Sequence, residues 1–201
     1  MILVEVLIAK LILAAVLTVA GSLWIDKLYS RSTELTFPEE ISSRARFRKP
    51  ILFVAFMFFA LHGELWLMTA IFLLVLMTAT DFEQYILFDA MTLPLAFLGA
   101  VYAWQNSILQ ENFLAAAIGG GIFLLLAIIS KGSLGGGDIK LIFGLGMWLG
   151  SEKLLNVILI GTILGGVSAV LMILLKKKSR DSYFAYGPYF TLVAIYFLLQ
   201  S

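Results

Sequence analysis

The sequence predicts an all-α polytopic membrane protein with about eight transmembrane helices. Of its 201 residues, 61% are hydrophobic and only 13% are charged, whereas soluble domains are roughly 45–50% apolar. Apolar windows of helix-forming length recur along the whole chain, separated by charged or Gly/Pro-rich breaks. Because these windows leave little room for a soluble domain, residues 1–201 are expected to form a single membrane-embedded domain.

Eight apolar windows are the candidate helices. They cover residues 2–24, about 50–62, 65–80 running on towards 88, 90–107, 112–130, 138–150, 154–175 and 186–200. The first window is placed like a signal peptide, but Glu5 and Lys10 interrupt it, so it is expected to be an uncleaved helix. The segment 25–50 is the longest polar stretch. It is predicted to be a solvated loop with its basic end against anionic lipid headgroups, and substrate docking is the alternative.

The basic residues predict the orientation of these helices. If the N-terminus faces outward, one side of the membrane carries twelve of them and the other only Lys153, with Lys10 inside the first helix. The twelve are Lys27, Arg31, Arg44, Arg46, Arg48, Lys49, Lys131, Lys140, Lys176, Lys177, Lys178 and Arg180. Since cytoplasmic loops carry the excess of Lys and Arg, the prediction is N-out/C-out.

The composition excludes several kinds of site. The chain has no cysteine and one histidine, His62, which excludes disulfides, thiolate metal sites and imidazole clusters. His62 falls on the predicted outer face and is assigned no role. Nothing resembles an ATP-binding loop or a basic nucleic-acid face, so no nucleic-acid partner is expected.

Two aspartates interrupt apolar sequence at the same predicted face. Asp81 ends the third window, and Asp138 opens the sixth, directly after Gly135, Gly136 and Gly137. On the predicted topology the third helix runs inward and the sixth outward, so both carboxylates lie at the cytoplasmic side and can meet. Ionisable groups inside a membrane are costly, and they are therefore candidates for a functional site.

The depth and chemistry of Asp138 follow from helix length and charge. The stretch 138–149 spans roughly 18 Å of helix against about 30 Å of hydrocarbon, so Asp138 is expected below the headgroups, with the glycines as irregular backbone. Two close carboxylates share one proton. One can deprotonate water while the other polarises a peptide carbonyl. An ordinary helix N-cap and the cation site of a small ion-coupled transporter are the alternatives.

The sequence around both aspartates resembles that of the type IV prepilin peptidase family of membrane aspartyl proteases. "GGGD" at 135–138 fits its Gly-x-Gly-Asp signature. "TDFEQYILFDAMTLPL" fits its first segment through Asp81, Glu83, Asp89 and the Thr-Leu-Pro-Leu at 92–95. The stretches "GSLWIDKLYSR", "ISSRARFRKP" and "YGPYF" add to the resemblance, which covers nearly the whole chain.

The resemblance implies a peptidase of the bacterial cytoplasmic (inner) membrane. It would remove basic leaders from prepilins or pseudopilins at the cytoplasmic side, ahead of the substrate's hydrophobic helix. Asp81 and Asp138 take the catalytic positions in this comparison, and Gly135, Gly136 and Gly137 form the active-site loop. Glu83, Asp89 and Lys140 are candidate substrate contacts.

The sequence also departs from the family pattern. Many members carry two Cys-x-x-Cys pairs that bind zinc, and methylate the new N-terminus with S-adenosylmethionine. This chain has no cysteine, so no zinc is expected, no cofactor is expected for proteolysis, and S-adenosylmethionine is needed only if methylation is retained. Phe88 replaces a common proline and Gln84 a common histidine. Presenilin-like and signal-peptide-peptidase-like proteases share Gly-x-Gly-Asp, but usually carry Tyr before the first Asp, where this chain has Thr80.

Overall fold

The computed structural model describes residues 2–59, 64–131, 134–175 and 184–200. These residues form helices and connecting segments, without a β-strand among them. The helices are α1 (Ile2–Arg31), α2 (Ile41–Arg44), α3 (Arg48–Phe59), α4 (Leu65–Gln84), α5 (Asp89–Gln105), α6 (Leu109–Ile129), α7 (Gly136–Leu174) and α8 (Gly187–Leu198). His62 and the basic residues at 176–180 lie outside the described residues.

The all-helical class is confirmed, and four helices are long and apolar enough to cross a membrane: α1, α4, α6 and α7. α8 is a shorter apolar helix. α3 has only 12 residues and α5 has 17, fewer than the roughly 20 that a full crossing needs.

The longest helix, α7, bends back on itself at Gly150. A Cβ placed on Gly119 of α6 would lie 3.2 Å from Ile142 Cγ2 and 2.8 Å from Leu154 Cδ2. In a straight helix these two residues, twelve positions apart (154 − 142), would be separated by roughly 18 Å, too far for both side chains to reach one point. The reversal occurs at Gly150, whose φ of 69° and ψ of −173° are not helical.

Gly150 divides α7 into a first arm, 136–149, and a second arm, 151–174. The two arms lie where the sequence predicts separate segments at 138–150 and 154–175. The first arm begins two residues earlier than predicted, because Gly136 and Gly137 form its first turn.

The ends of several helices gather at one end of the molecule. α4 ends where Tyr85 adopts a left-handed conformation with φ 56°, and α5 begins four residues later at Asp89. The start of α7 packs against this connection, since a Cβ on Gly137 would lie 2.8 Å from Leu87 Cβ. The start of α8 packs there too, because a Cβ on Gly187 would contact Asp81 and Leu87.

The loop between α1 and α3 is more ordered than the predicted solvated linker. Short 3₁₀ turns flank α2 within it. The Phe37 N–H donates to Gln84 Oε1 at 2.8 Å, and Gln84 Nε2 donates to the Phe37 carbonyl at 3.1 Å. Arg48, predicted as a loop residue, is buried at the start of α3. Hydrogen bonds and ion pairs therefore hold this loop against the end of α4.

Candidate active site

The structure brings Asp81 and Asp138 into one open cleft of about 510 Å³. Asp81 comes from the last turn of α4 and Asp138 from the first turn of α7. The other lining residues are Ser32, Glu34, Tyr85, Ile86, Leu87, Phe88, Asp89, Gly135, Gly136, Gly137 and Lys140. Two carboxylates that are 57 positions apart (138 − 81) thus line one open cavity.

Asp81 is the more enclosed of the two aspartates. The Asp81 residue is 6% exposed. Its Oδ2 makes no hydrogen bond of standard geometry within the described part of the chain. The backbone N–H of Gly187 faces this carboxylate. A buried carboxylate oxygen without a hydrogen-bond partner lowers the stability of a fold.

Asp138 is half-buried and is the third residue of α7 rather than its N-cap. The N-cap is Gly135, whose carbonyl accepts the Asp138 backbone N–H at 3.1 Å. Asp138 Oδ2 lies 3.4 Å from where a Gly135 Cβ would stand. The alternative of Asp138 as an N-cap is therefore wrong for this helix.

The three glycines before Asp138 differ in their surroundings. A Cβ on Gly137 would lie 2.8 Å from Leu87 Cβ and 3.2 Å from the Leu87 carbonyl oxygen. A Cβ on Gly136 would meet nothing within 4 Å. Only Gly137 permits the close approach between α7 and the α4–α5 connection, which brings the two aspartates to one cleft.

Asp89 and Lys140 form an ion pair at the rim of the cleft. Lys140 Nζ lies 2.5 Å from Asp89 Oδ1, and the two side chains are 45% and 58% exposed. Lys140 therefore pairs across to the start of α5 and not with Asp138, as the 200° helical offset between 138 and 140 predicts. Both residues line the cleft.

Glu83 does not line the cleft, although it is only two residues from Asp81. It is 6% exposed, and its Oε2 lies 2.6 Å from Arg48 Nη2. Tyr29 also donates a hydrogen bond to it at 3.1 Å. This buried ion pair ties α1, α3 and α4 together, and the substrate contact expected at Glu83 stays a prediction.

Two groups of residues at the cleft were not among the site residues predicted from the sequence. Glu34 and Ser32 reach the cleft from the loop after α1, and Gly187 reaches Asp81 from the start of α8. A signal for Glu34 exists in the sequence, since it is an acidic residue on the predicted cytoplasmic side. The Gly187 contact joins residues 106 positions apart (187 − 81), and only the fold reveals it.

The model of a known family, described as the type IV leader peptidase family, matches residues 67–170. The matched region is half of the chain and includes both aspartates. The chain belongs to the type IV leader peptidase family. The match thus places the α4–α5 connection and both arms of α7 within the part that family members share.

Similar proteins with curated names support this membership. Three of them are called "Prepilin leader peptidase/N-methyltransferase". The one from Neisseria gonorrhoeae is 35% identical, over 59% of this chain and 42% of the relative. The one from Xanthomonas campestris pv. campestris is 32% identical, over 58% and 43%. The one from Pectobacterium carotovorum subsp. carotovorum is 30% identical, over 71% and 52%.

The chain spans about half the length of the curated relatives it matches. No solved structure showed significant similarity to it. The family is therefore established by sequence, and the arrangement of the two aspartates is established by the geometry described above.

Proposed function

We propose that this member of the family is a membrane aspartyl endopeptidase that removes the N-terminal leader from type IV prepilins or pseudopilins. The observation that carries the proposal is the meeting of Asp81 and Asp138 in one open cleft. The names of the curated relatives supply the substrate class.

The two aspartates would act as an acid and base pair. One carboxylate, ionised, takes a proton from a water molecule, whose oxygen attacks the scissile carbonyl carbon. The other, protonated, donates a hydrogen bond to the carbonyl oxygen and stabilises the developing charge. When the C–N bond breaks, the proton gained by the first carboxylate passes to the leaving amine.

The charges around the cleft fit a basic leader. Among the residues that the structure describes, Glu34, Asp81, Asp89 and Asp138 line it together with a single cation, Lys140. We propose Asp89 and Lys140 as substrate contacts, with a basic residue of the leader replacing Lys140 beside Asp89. The excess of carboxylates would attract a positively charged segment and repel an acidic one.

The membrane arrangement completes the proposal. We infer eight crossings in an N-out/C-out orientation in the bacterial inner membrane, with each arm of α7 as a separate crossing. The cleft would then open to the cytoplasm, with Asp138 just below the headgroups, where the leader meets the hydrophobic helix of its precursor. The prediction that residues 1–201 act as a single domain belongs to the same proposal.

Leader cleavage is the activity proposed for this chain, and methylation is not carried over from the relatives' names. The matched regions cover only 42–52% of those relatives. Proteolysis by two carboxylates requires no metal and no S-adenosylmethionine, so chelators are expected to leave cleavage unchanged.

The test incubates the purified chain in liposomes with a prepilin, a pseudopilin and an unrelated secretory precursor. Labelled S-adenosylmethionine is included, and parallel samples contain EDTA. We expect mass spectrometry to find the pilin-type precursors cut at the junction of leader and helix, and the third precursor intact. Cleavage within the hydrophobic helix, or none in any precursor, would overturn the proposal.

A further inference from the structure

The start of α8 touches Asp81, and the cleavage mechanism above makes no use of this contact. Gly187 is the first residue of α8 and is buried. A Cβ placed on it would lie 2.7 Å from Asp81 Oδ2 and 3.2 Å from Asp81 Cγ. A contact this short forces the carboxylate or the start of α8 to shift, so the absence of a side chain at Gly187 lets the α8 backbone come against the carboxylate.

The first residue of α8, Gly187, offers its backbone amide to Asp81. Pro188 has no N–H, and the Tyr189 N–H donates to the Tyr186 carbonyl at 3.1 Å. The Gly187 N–H faces the Asp81 carboxylate. Because Asp81 is 6% exposed, this backbone contact limits where its carboxylate can lie.

Other contacts hold α8 in place independently of Asp81. The hydroxyls of Thr78 and Thr191 hydrogen-bond at 2.6 Å between α4 and α8, one turn beyond Gly187. On the opposite side, a Cβ on Gly161 in the second arm of α7 would lie 2.5 Å from Phe190 Cδ1. These contacts therefore hold the start of α8 in place beside the Asp81 side chain.

We propose that Gly187 is a positioning residue that holds the Asp81 carboxylate towards Asp138. Its role requires the absence of a side chain and the presence of the backbone N–H. The inference rests on the proposed function, since it assigns Gly187 to the geometry of the same aspartate pair. Substrate binding along the rest of the cleft does not involve Gly187.

The test substitutes Gly187→Ala and measures leader cleavage in liposomes. The added methyl displaces the carboxylate or the start of α8, and a misplacement near 1 Å costs about 100-fold in rate. We expect kcat to fall by about that factor and KM to stay within about twofold of wild type, because substrate binding is not affected.

Gly161→Ala is the matched control, since it disturbs the packing of the same helix at Phe190 without reaching Asp81. It should lower the unfolding temperature and cost at most the roughly 10-fold in kcat expected when α8 shifts without a new group entering beside Asp81. A role of Gly187 in packing alone predicts the same behaviour for both variants, so a folded Gly187→Ala protein with wild-type kcat would overturn the inference.

Thr191→Val is a second variant in case Gly187→Ala does not fold. It removes the hydroxyl that bonds Thr78 and keeps the side-chain shape, so α8 shifts on α4 less severely. We expect a smaller fall in kcat, about 10-fold, again with little change in KM. A folded Thr191→Val protein with wild-type kcat would overturn the inference.

If wild-type protein cleaves no prepilin, the proposed function itself fails. That result differs from the outcome of either variant, because both variants are compared with an active wild-type protein.

Discussion

At the scale of single residues, Gly136 and Gly137 are neighbours with opposite surroundings. Gly137 lies against Leu87, whereas Gly136 borders open space. The close approach at Gly137 brings the start of α7 against the connection that follows Asp81. A methyl group at position 137 must therefore move one of these two segments.

Gly137→Ala is expected to lower kcat for leader cleavage by about 100-fold. The added methyl increases the distance between Asp138 and Asp81 by up to about 1 Å. The measurement is initial cleavage rate against prepilin concentration, together with the unfolding temperature in detergent. Gly136→Ala is the control and should leave the unfolding temperature unchanged. Equal effects of both substitutions on stability would contradict the role given to Gly137.

The Arg48–Glu83 pair supplies a second prediction at this scale. The Arg48 side chain is 2% exposed and pairs with Glu83 at 2.6 Å and with the half-exposed Asp26 at 2.5 Å. Glu83→Gln leaves the buried guanidinium with one charged partner, and breaking a buried pair costs about 3 kcal/mol in unfolding free energy. The measurement is unfolding by denaturant in detergent.

Glu40→Gln is the control for Glu83→Gln. Glu40 also pairs with an arginine, Arg44, at 2.8 Å, but its side chain is 56% exposed. Exposed pairs contribute about 1 kcal/mol or less. If Glu83→Gln lowers the free energy of unfolding no more than Glu40→Gln does, the buried pair does not hold the end of α4.

At the scale of elements, the reversal of α7 at Gly150 sets the position of the whole first arm. The φ of 69° and ψ of −173° at Gly150 lie in a region that is essentially restricted to glycine. Only with this reversal can the first arm and the second arm both pack on α6 at Gly119. Asp138 stands at the far end of the first arm and depends on its placement.

Gly150→Ala is expected to lower the unfolding free energy by about 1–3 kcal/mol through backbone strain. Gly166→Ala, on the second arm, is the control: a Cβ there meets nothing within 4 Å, and Ala is the better helix former by about 1 kcal/mol. The free energy of unfolding in detergent should therefore fall for Gly150→Ala and rise for Gly166→Ala. A neutral Gly150→Ala would contradict the sharp reversal.

The sequence predicted the helical segments and the meeting of the two aspartates, and the eight crossings and their orientation stay predictions. Counting windows and basic residues brought Asp81 and Asp138 to one side, and the structure places them in one cleft. The start of α7 was predicted two residues late, because glycine has low helix propensity. Packing against Leu87 outweighs that propensity here.

Other features of the site could not be predicted from local sequence. Glu83 was predicted only as a candidate substrate contact, and its burial depends on Arg48, 35 positions away. The contact of Gly187 with Asp81 depends on how α8 packs on α4. Such contacts arise from tertiary packing, and no periodicity or spacing in the sequence indicates them.

At the scale of the whole molecule, the orientation in the membrane can be measured because the chain has no cysteine. Ser43, in α2, and Ser107, between α5 and α6, are both exposed and lie on opposite predicted sides. In the Ser107→Cys variant, a membrane-impermeant maleimide should label the introduced cysteine in intact cells. With Ser43→Cys, labelling should require permeabilised membranes. The reverse pattern would contradict the N-out/C-out orientation.

The central claim is that Asp81 and Asp138 together carry out leader cleavage. The most direct measurement compares the single variants Asp81→Asn and Asp138→Asn with wild type in liposomes, using a prepilin substrate and confirming folding by thermal unfolding in detergent. Each amide keeps the shape of the side chain but cannot take up a proton from water, so we predict that each variant loses at least about 10³-fold in kcat. Cleavage near the wild-type rate by either folded variant would contradict the claim.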